Sequence, residues 1–298
     1  MNASNQGKAV SPWYIIDDHR FGHDGLEIVL TNDFDSPNFA AYYGLQALCL
    51  PDHMQEARED YRRLFELARG DAGQALRDRL GEFADVVAVA REPGEPEVVA
   101  AAAAVFFRWN DGRRTMSLIY MITAPGIRRR RYAARLWDGF RREMARRIDG
   151  AIGDARPFDL VTGDICDPFD PESAIPPTVA SAGIDRPEGR LRWVGDSGAR
   201  VLDLVYREPS EDHDWSTGIP YLFLVFPSGA DDDPDAGLLR DQLERFLTIS
   251  VLCGQDARND PVARPQLEHL DALSRAGARV RSTPVADWLR ARSSGARV

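Results

Sequence analysis

The fold of this 298-residue chain is decided by the stretch Met116–Ile148, MSLIYMITAPGIRRRRYAARLWDGFRREMARRI. An apolar run that favours a β-strand continues to Thr123, a turn follows at Pro125-Gly126, and four consecutive arginines come next. From about Ala133 the apolar residues recur with a helical period on one face, while arginines occupy the other face. Those apolar residues are Leu136, Phe140 and Met144. The stretch therefore predicts a strand, a tight basic turn and an amphipathic helix.

The junction between this strand and this helix is a candidate anion site. The first N–H groups of a helix have no acceptor within the helix, and the helix dipole favours a negative charge beside them. A tight turn before the helix can aim further N–H groups at the same point. The arginines at 128–131 add positive charge in a chain whose net charge is −10. We expect a phosphate group to bind here, although a solvated charge run is the plainer interpretation of four arginines.

At these residues the sequence resembles the GNAT superfamily of acyl-CoA-dependent acyltransferases. That family carries an Arg/Gln-x-x-Gly-x-Gly/Ala loop between its fourth strand and third helix, and the amides of the loop hold the CoA pyrophosphate. Arg128, Arg131 and Ala133 occupy the three marked positions. Thr123-Ala124-Pro125 stands where the family often has Val-x-Pro. The departure from the family pattern is Arg131 in the place of the usual glycine.

The order of predicted elements follows the same family over about residues 26–228. The predicted strands are Leu26–Thr31, Val86–Arg91, Val98–Trp109, Met116–Thr123, Phe158–Cys166, Val201–Tyr206 and Tyr221–Phe226. Asn110-Asp111-Gly112 is a hairpin signal between two of them. The resemblance implies an α/β fold with a mixed, mostly antiparallel central sheet flanked by helices. We expect an N-terminal arm at 1–25, an acyltransferase domain at 26–230 and a C-terminal helical extension at 231–298.

The resemblance also implies where acyl-CoA would bind. In the family, the strand before the phosphate loop splays from the next strand, and its backbone binds pantetheine; the corresponding residues are Met121, Ile122 and Thr123. The loop and the start of the helix would bind the pyrophosphate, through Arg128, Arg129, Arg130, Arg131, Tyr132, Ala133 and Ala134. The co-substrate is then acetyl-CoA or another acyl-CoA, and no metal ion is implied.

Acyl transfer to an amine needs a base for the amine and an acid for the leaving thiolate. Asp164, on the strand after the central helix, is the candidate base, because burial in a cleft raises the pKa of a carboxyl group. Tyr120 lies beside the pantetheine strand and is a candidate acid or base. The plainer roles are a hydrogen bond to the following turn for Asp164 and a place in the core for Tyr120. Many family members protonate the thiolate with a tyrosine at the position that Val194 occupies here.

Other chemistry-bearing residues give weaker signals. His19 and His23 are four residues apart, but a surface turn fits them better than a metal site because no further ligand spacing is present. His213 lies in an acidic loop and could line the acceptor site. Cys166 has no histidine near it in sequence, which predicts an inert thiol. We therefore expect neither a metal site nor a covalent acyl-enzyme.

The composition excludes several classes of protein. The chain is 44% hydrophobic and 28% charged, which is typical of a soluble globular protein. Its negative net charge argues against general nucleic-acid binding. The sequence has no run of about 18 apolar residues and no N-terminal signal pattern, so we expect a cytoplasmic protein without a membrane span.

Three functions remain open from the sequence. The first is an acyl-CoA-dependent N-acyltransferase, with acetyl as the expected acyl group and a small-molecule amine as acceptor. The second is a related enzyme that uses a long acyl chain, such as a synthase of N-acyl amino acids or acyl-homoserine lactones. The third is a degenerate module that binds CoA or a partner without catalysis. The C-terminal helices could cap the acceptor site or form a homodimer.

Overall fold

The computed structural model describes residues 12–50, 55–126, 131–150, 157–169, 187–209, 219–226 and 233–294. Ten strands in these residues form one sheet. They are β1 His19–His23, β2 Leu26–Thr31, β3 Glu82–Arg91, β4 Val98–Arg108, β5 Arg114–Thr123, β6 Leu160–Cys166, β7 Arg200–Leu202, β8 Tyr206–Glu208, β9 Ile219–Phe226 and β10 Ser282–Pro284. Their spatial order is β1-β2-β3-β4-β5-β6-β9-β7-β10, and β8 pairs with β9.

The strand pairing confirms the predicted fold class. β5 and β6 are parallel, and the other pairings among the described strands are antiparallel. The sheet is therefore mixed and mostly antiparallel, with helices on both faces. The hairpin predicted at Asn110-Asp111-Gly112 joins β4 to β5, and Gly112 has a φ of 85° that suits glycine.

Eight α-helices pack against this sheet in the described part of the chain. They are α1 Pro37–Cys49, α2 Arg58–Arg69, α3 Gln74–Leu80, α4 Tyr132–Asp149, α5 Pro187–Asp196, α6 Ala236–Phe246, α7 Ala263–Arg275 and α8 Val285–Ser293. A π-helical turn, Leu247–Val251, continues α6. None of these helices has the length and apolar character needed to span a bilayer.

The two faces of the sheet bury different sets of helices. Successive residues of a strand point to opposite faces, and in β4 Ala102 and Phe106 lie in the core beneath α4, α5 and α8. On the opposite face Ala103 lies beneath α1 and α2, whereas Phe107 lies beneath α6 and α7. That second face therefore carries two separate apolar clusters.

The predicted elements differ from the observed ones in several places. The predicted strand Val201–Tyr206 is two short strands, β7 and β8, because residues 203–205 leave the sheet between them. The sequence pattern from Asp52 to Leu80 predicts a continuous helix, but over the described residues, from 55 onwards, it forms α2 and α3 with a short 3-10 turn at Asp71–Gly73 between them. A Cβ at Gly73 would stand 1.7 Å from the carbonyl oxygen of Leu67, so the chain needs glycine where it turns. β1 lies within the expected N-terminal arm, and β10 lies within the expected C-terminal extension. Both strands belong to the central sheet, because β1 pairs with β2 and β10 with β7.

Candidate active site

The sheet opens between its two parallel strands. The pairing of β5 with β6 runs from Thr115 opposite Leu160 to Leu118 opposite Gly163. Beyond this point β5 continues to Thr123 along β4, whereas β6 continues to Cys166 along β9. The two strands therefore part, and the final residues of each border a V-shaped opening in the sheet.

A β-bulge shapes the β5 side of this opening. In the β4–β5 ladder Ala104 is opposite Leu118 and Ala103 is opposite Tyr120, so Ile119 is an extra residue. A bulge bends its strand and increases the local twist, which helps β5 to turn away from β6. The bulge also shifts by one residue the alternation of side chains between the two faces of the sheet. Met121 therefore packs beneath α4, and Ile122 packs beneath α1 and α2.

A buried polar network fixes the point where the strands part. The Ser117 and Thr162 hydroxyl groups, on β5 and β6, are hydrogen-bonded at 2.6 Å. Gln242 of α6 donates from Nε2 to the Ser117 hydroxyl at 2.8 Å, and its Oε1 accepts from the Thr115 hydroxyl. All of these side chains are fully buried. The C-terminal part of the chain is thus joined to the base of the opening.

The candidate phosphate loop lies at the end of β5. Arg128, Arg129 and Arg130 fall outside the described residues, but Arg131 stands directly before α4 with a φ of 55° and a ψ of 28°. This is the left-handed conformation that glycine adopts most easily and that a residue with a Cβ adopts only at a cost. The N–H groups of Tyr132, Ala133 and Ala134 have no acceptor within the helix.

The β6 side of the opening carries a coupled pair of carboxyl groups. Asp164 of β6 and Glu208 of β8 lie close enough that each alters the pKa of the other. Both are half-buried. Burial raises the pKa of Asp164, and burial together with the Asp164 charge raises the pKa of Glu208 well above its usual range. Two carboxyl groups that lie this close hold a proton between them more readily than either would alone.

Tyrosine side chains surround this pair on the same face of the sheet. Burial, and then the charge of Glu56, raise the pKa of Tyr120 well above its ordinary value. Burial, and then the charge of Glu208, also raise the pKa values of Tyr206 and Tyr221. The ring centroids of these two tyrosines are 6.4 Å apart. A raised pKa keeps Tyr120 a neutral phenol near pH 7, which can donate a hydrogen bond.

Two further acidic residues, not expected from the sequence, share this face. Burial, and then the Asp85 charge, raise the pKa of Glu56 to about 8. Burial raises the pKa of Asp85 to about 7, and the nearby Ser250 hydroxyl offsets part of the rise. Asp85 was detectable only as a single acidic residue in apolar surroundings, at Ala84-Asp85-Val86, whereas Glu208 follows Arg207 and gave no such signal. Glu56 stands among other charged residues and gave no signal.

The C-terminal helices hold part of this site in place. The Gln266 side chain of α7 accepts a hydrogen bond from the Arg207 N–H at 2.9 Å and donates one to the Arg207 carbonyl at 2.8 Å. Arg207 precedes Glu208, so α7 fixes the short strand that carries this carboxyl group. The π-helical turn places Ser250 close to Asp85.

The remaining candidates lie away from the opening. Val194 is buried in α5 within the core on the α4 side, so it supplies no acid. His19 and His23 form hydrogen bonds with Glu143 at 2.8 Å and Asp138 at 3.1 Å, both on α4. No cluster of potential metal ligands is present among the described residues. Cys166, beside the opening, forms no disulfide, and His213 falls outside the described residues.

The opening between parallel strands and the strand–loop–helix junction have the arrangement that the family resemblance implied. β5 leads into a turn, then into the candidate phosphate loop and α4, while β6 follows α4 and returns beside β5. The mixed, mostly antiparallel sheet flanked by helices that the sequence predicted is therefore confirmed. The identity of the acyl group and of the acceptor is not determined by this arrangement.

Comparison with known proteins gives likenesses of fold at low identity. No protein-family model and no curated protein matches the sequence. The Naa50 protein of Arabidopsis thaliana, in complex with a bisubstrate analogue, aligns with 66% of this chain and 97% of its own, at 9% identity and a TM-score of 0.39. A GNAT family acetyltransferase from Elizabethkingia anophelis, with acetyl-CoA bound, aligns with 68% of this chain and 98% of its own, at 13% identity and a TM-score of 0.35.

A third solved structure of similar fold is an aminoglycoside acetyltransferase from an uncultured soil metagenomic sample, in complex with sisomicin. It aligns with 47% of this chain and 77% of its own, at 14% identity and a TM-score of 0.32. The chemistry of the present chain is argued below from its own residues.

Proposed function

We propose that this protein is an acyl-CoA-dependent N-acyltransferase that moves an acetyl group from acetyl-CoA to an amine by direct attack. The observation that carries the proposal is the opening between β5 and β6. The end of β5 leads to the N-terminus of α4, which suits a pyrophosphate. The start of the opening on β6 carries Asp164, which suits a proton acceptor. A thioester that lies along β5 would therefore meet an amine held beside Asp164.

The acyl-CoA would lie along the end of β5. Met121, Ile122 and Thr123 form the end of β5 that borders the opening, and those of their backbone groups that point away from β4 would bind the amides of pantetheine. The pyrophosphate would accept hydrogen bonds from the amides at 131–134, with charge from Arg128, Arg129 and Arg130. The left-handed backbone at Arg131 lets the chain enter the helix where the family has glycine. This arrangement supports the loop assignment made from the sequence.

The Asp164–Glu208 pair would serve as the base. The amine reaches the site as an ammonium ion and passes one proton to the ionised pair, which leaves a neutral amine with a free lone pair. The amine nitrogen then bonds the thioester carbon, the tetrahedral intermediate gives the second proton of the nitrogen to the leaving thiolate, and the C–S bond breaks. A base whose pKa lies near the working pH is well placed for this transfer. The neutral phenol of Tyr120 would donate a hydrogen bond to the thiolate or to the oxyanion.

Thermal unfolding with acetyl-CoA, longer acyl-CoAs and free CoA tests the donor site. A ligand that binds only the folded protein stabilises it by about 2.7 kcal/mol at a hundredfold excess over its dissociation constant. We expect stabilisation by acetyl-CoA, and release of free thiol when an amine is added. If long-chain acyl-CoAs stabilise the protein more than acetyl-CoA does, the enzyme that uses a long acyl chain is favoured. If acyl-CoA binds but no thiol is released, the degenerate module is favoured.

The Arg128→Glu variant tests the phosphate loop. It places a carboxylate against the expected position of the pyrophosphate, so we expect CoA binding to weaken by roughly tenfold or more. The matched control is Arg264→Glu, on an exposed part of α7, where the same charge change should leave CoA binding intact. Equal affinities in the two variants would overturn the loop assignment.

A further inference from the structure

The C-terminal part of the chain reaches the base of the opening through the side chain of Gln242. This side chain is 0% exposed, and its amide lies between two hydroxyl groups of β5. Nε2 donates to the Ser117 hydroxyl at 2.8 Å, and Oε1 accepts from the Thr115 hydroxyl. Both polar atoms of the buried amide therefore have a partner on the strand that would carry the donor.

The direction of each hydrogen bond in this network is determined. Trp109 Nε1 can only donate, and it donates to the Thr115 hydroxyl at 2.9 Å, so this hydroxyl is left to donate to Gln242. The amide nitrogen of Gln242 therefore faces Ser117. The Ser117 hydroxyl accepts from Gln242 and donates to the Thr162 hydroxyl at 2.6 Å. One chain of hydrogen bonds thus runs from the end of β4 through β5 and α6 to β6.

This chain of hydrogen bonds joins β5 and β6 next to the point where they part. Ser117 and Thr162 are opposite each other, one residue before the pairing ends at Leu118 and Gly163. A Cβ at Gly163 would stand 3.3 Å from the Leu118 carbonyl oxygen, so the strands are in close contact at this final pair. Asp164 follows directly and lies on the same face as Thr162, because side chains two residues apart on a strand share a face. The position of Asp164 relative to β5 therefore depends on how Ser117 and Thr162 are held.

The helix that carries Gln242 lies beneath both sides of this junction. Leu239 and Leu243 of α6 belong to the same apolar cluster as Phe107 of β4 and Phe223 of β9. Apolar contacts are not directional, so they hold α6 on the sheet without fixing the spacing of the strands. Hydrogen bonds require defined distances and angles. The Gln242 amide is therefore the part of α6 that can fix this spacing.

We propose that Gln242 is a positioning residue, which sets the distance between the donor on β5 and the proton acceptor on β6. Its amide is bonded to Ser117 and Thr115, so its effect on the reaction is exerted through the strands. This inference rests on the proposed function, because it assigns a further residue to that same site. A displacement of reacting groups by about 1 Å can lower a rate by about a hundredfold. A small change in the spacing of the strands should therefore be visible in turnover.

The Gln242→Met variant tests this role, because methionine has a similar length and volume but forms neither hydrogen bond. With acetyl-CoA as donor and n-butylamine as acceptor, we expect kcat to fall by roughly tenfold to a hundredfold. The dissociation constant of acetyl-CoA should stay within about twofold of the wild-type value, because the residues expected to bind it lie on β5 and at the start of α4.

The matched control is Asn32→Leu, which removes a second buried amide. Asn32 follows β2, accepts a hydrogen bond from the Ile16 N–H at 2.9 Å and donates one to the Tyr14 carbonyl at 2.8 Å. Both variants lose buried hydrogen bonds, so both should unfold at a lower temperature than the wild type. Below that temperature only Gln242→Met should lose turnover, which separates positioning from a general loss of stability.

The Ser117→Ala variant shows whether Gln242 acts through Ser117. If it does, the double variant should have the kcat of the slower single variant. Losses that multiply in the double variant would overturn the inference. Should Gln242→Met fail to fold, Thr162→Val carries the same test, because valine keeps the shape of threonine and removes the hydroxyl that accepts from Ser117.

The outcomes separate this inference from the proposed function. Wild-type kcat in Gln242→Met would overturn the inference and leave the acyltransferase standing. If the wild type releases no thiol from acetyl-CoA with n-butylamine, hydrogen exchange decides the inference without any reaction. The backbone amides at 115–118 and 160–163, where β5 pairs with β6, should exchange faster in Gln242→Met than in the wild type or Asn32→Leu. Equal exchange in the three proteins would overturn the inference.

Discussion

The two faces of the sheet carry their charged residues in opposite ways. On the outer surface of α4 the charges are paired: Arg142 contacts Asp138 at 2.9 Å, and Arg146 contacts Glu143 at 3.1 Å. On the opposite face Asp164, Glu208 and their acidic neighbours lie among tyrosines. Exposed pairs change stability little, whereas buried unpaired carboxyl groups have raised pKa values. The comparison shows which charged groups are available for chemistry: the carboxyl groups that lie among the tyrosines, and not the paired side chains of α4.

The contrast also concerns how each region is assembled. The arginines and carboxylates of α4 come from a single helix of 18 residues. The acidic residues of the opposite face come from β3, β6, β8 and the segment before α2, and they are far apart in sequence. A helix surface can be predicted from local spacing. A group of residues from four segments depends on how the sheet is ordered.

The largest expected effect is that of Asp164→Asn on turnover. An amide cannot accept the proton of the amine, so we expect kcat to fall by between about a hundredfold and ten-thousandfold. Affinity for acetyl-CoA, measured by thermal shift, should stay close to that of the wild type. The control is Asp203→Asn, an exposed residue between β7 and β8, with unchanged kcat. Wild-type turnover in Asp164→Asn would give Asp164 a structural role only.

A second effect is the pH dependence of stability that Asp85 causes. Burial raises its pKa to about 7 in the folded protein, from the 3.8 that is usual for an aspartate in water. The folded state therefore keeps its proton where the unfolded state has lost it. The resulting stability is fully present below about pH 4 and is lost as the pH rises to about 7, at about 1.4 kcal/mol per pH unit.

The Asp85→Asn variant removes this titration. We expect its midpoint of thermal unfolding, relative to that of the wild type, to increase between pH 5 and pH 7. Asp256 provides the opposite control, because its hydrogen bonds with Arg258 and Arg79 hold its pKa below the usual range. Its contribution to stability is present above the unfolded pKa and is lost at lower pH. Parallel pH profiles for the wild type and Asp85→Asn would contradict the burial of an unpaired carboxyl group.

Much of the fold could be predicted from the sequence because its signals are local. Leu26–Thr31 is a strand with the predicted boundaries, and α4 begins within one residue of the predicted start. The alanine-rich run from Val98 could have been a helix by propensity. The hairpin signal after it correctly predicted a strand, because the tertiary pairing of β4 with β3 and β5 outweighs the helical preference of alanine.

The site could be predicted only in part. Asp164 and Tyr120 lie at the opening, but their assigned roles stay predictions. Glu208 was missed because it becomes a partner of Asp164 only when β8 pairs with β9. The bulge at Ile119 left no local signal either, since it depends on the register between β4 and β5. What was missed thus depends on contacts between residues that are distant in the chain.

A smaller effect is expected at the phosphate loop, where Arg131 has a left-handed backbone. This conformation destabilises a residue that has a Cβ by about 1–2 kcal/mol. Glycine avoids that strain, but it also makes the unfolded chain more flexible, which offsets part of the stabilisation. We expect Arg131→Gly to stabilise the protein by up to about 1 kcal/mol. Arg131→Ala removes the same charge but keeps the Cβ, so it should give no gain. Equal stabilities of the two variants would contradict the left-handed assignment.

The smallest effect should come from the paired charges of α4, and it decides whether the contrast between the two faces holds. Arg142→Ala removes an exposed pair with Asp138, at the i and i+4 positions of one helix. Such pairs contribute about 0.3–0.5 kcal/mol, and salt screens them. We expect chemical denaturation to show a change of this size that shrinks at high ionic strength. A loss of unfolding free energy above about 1 kcal/mol that persists at high salt would mean that the α4 charges are coupled to the core. In that case the distinction between exposed paired charges and buried unpaired ones would fail.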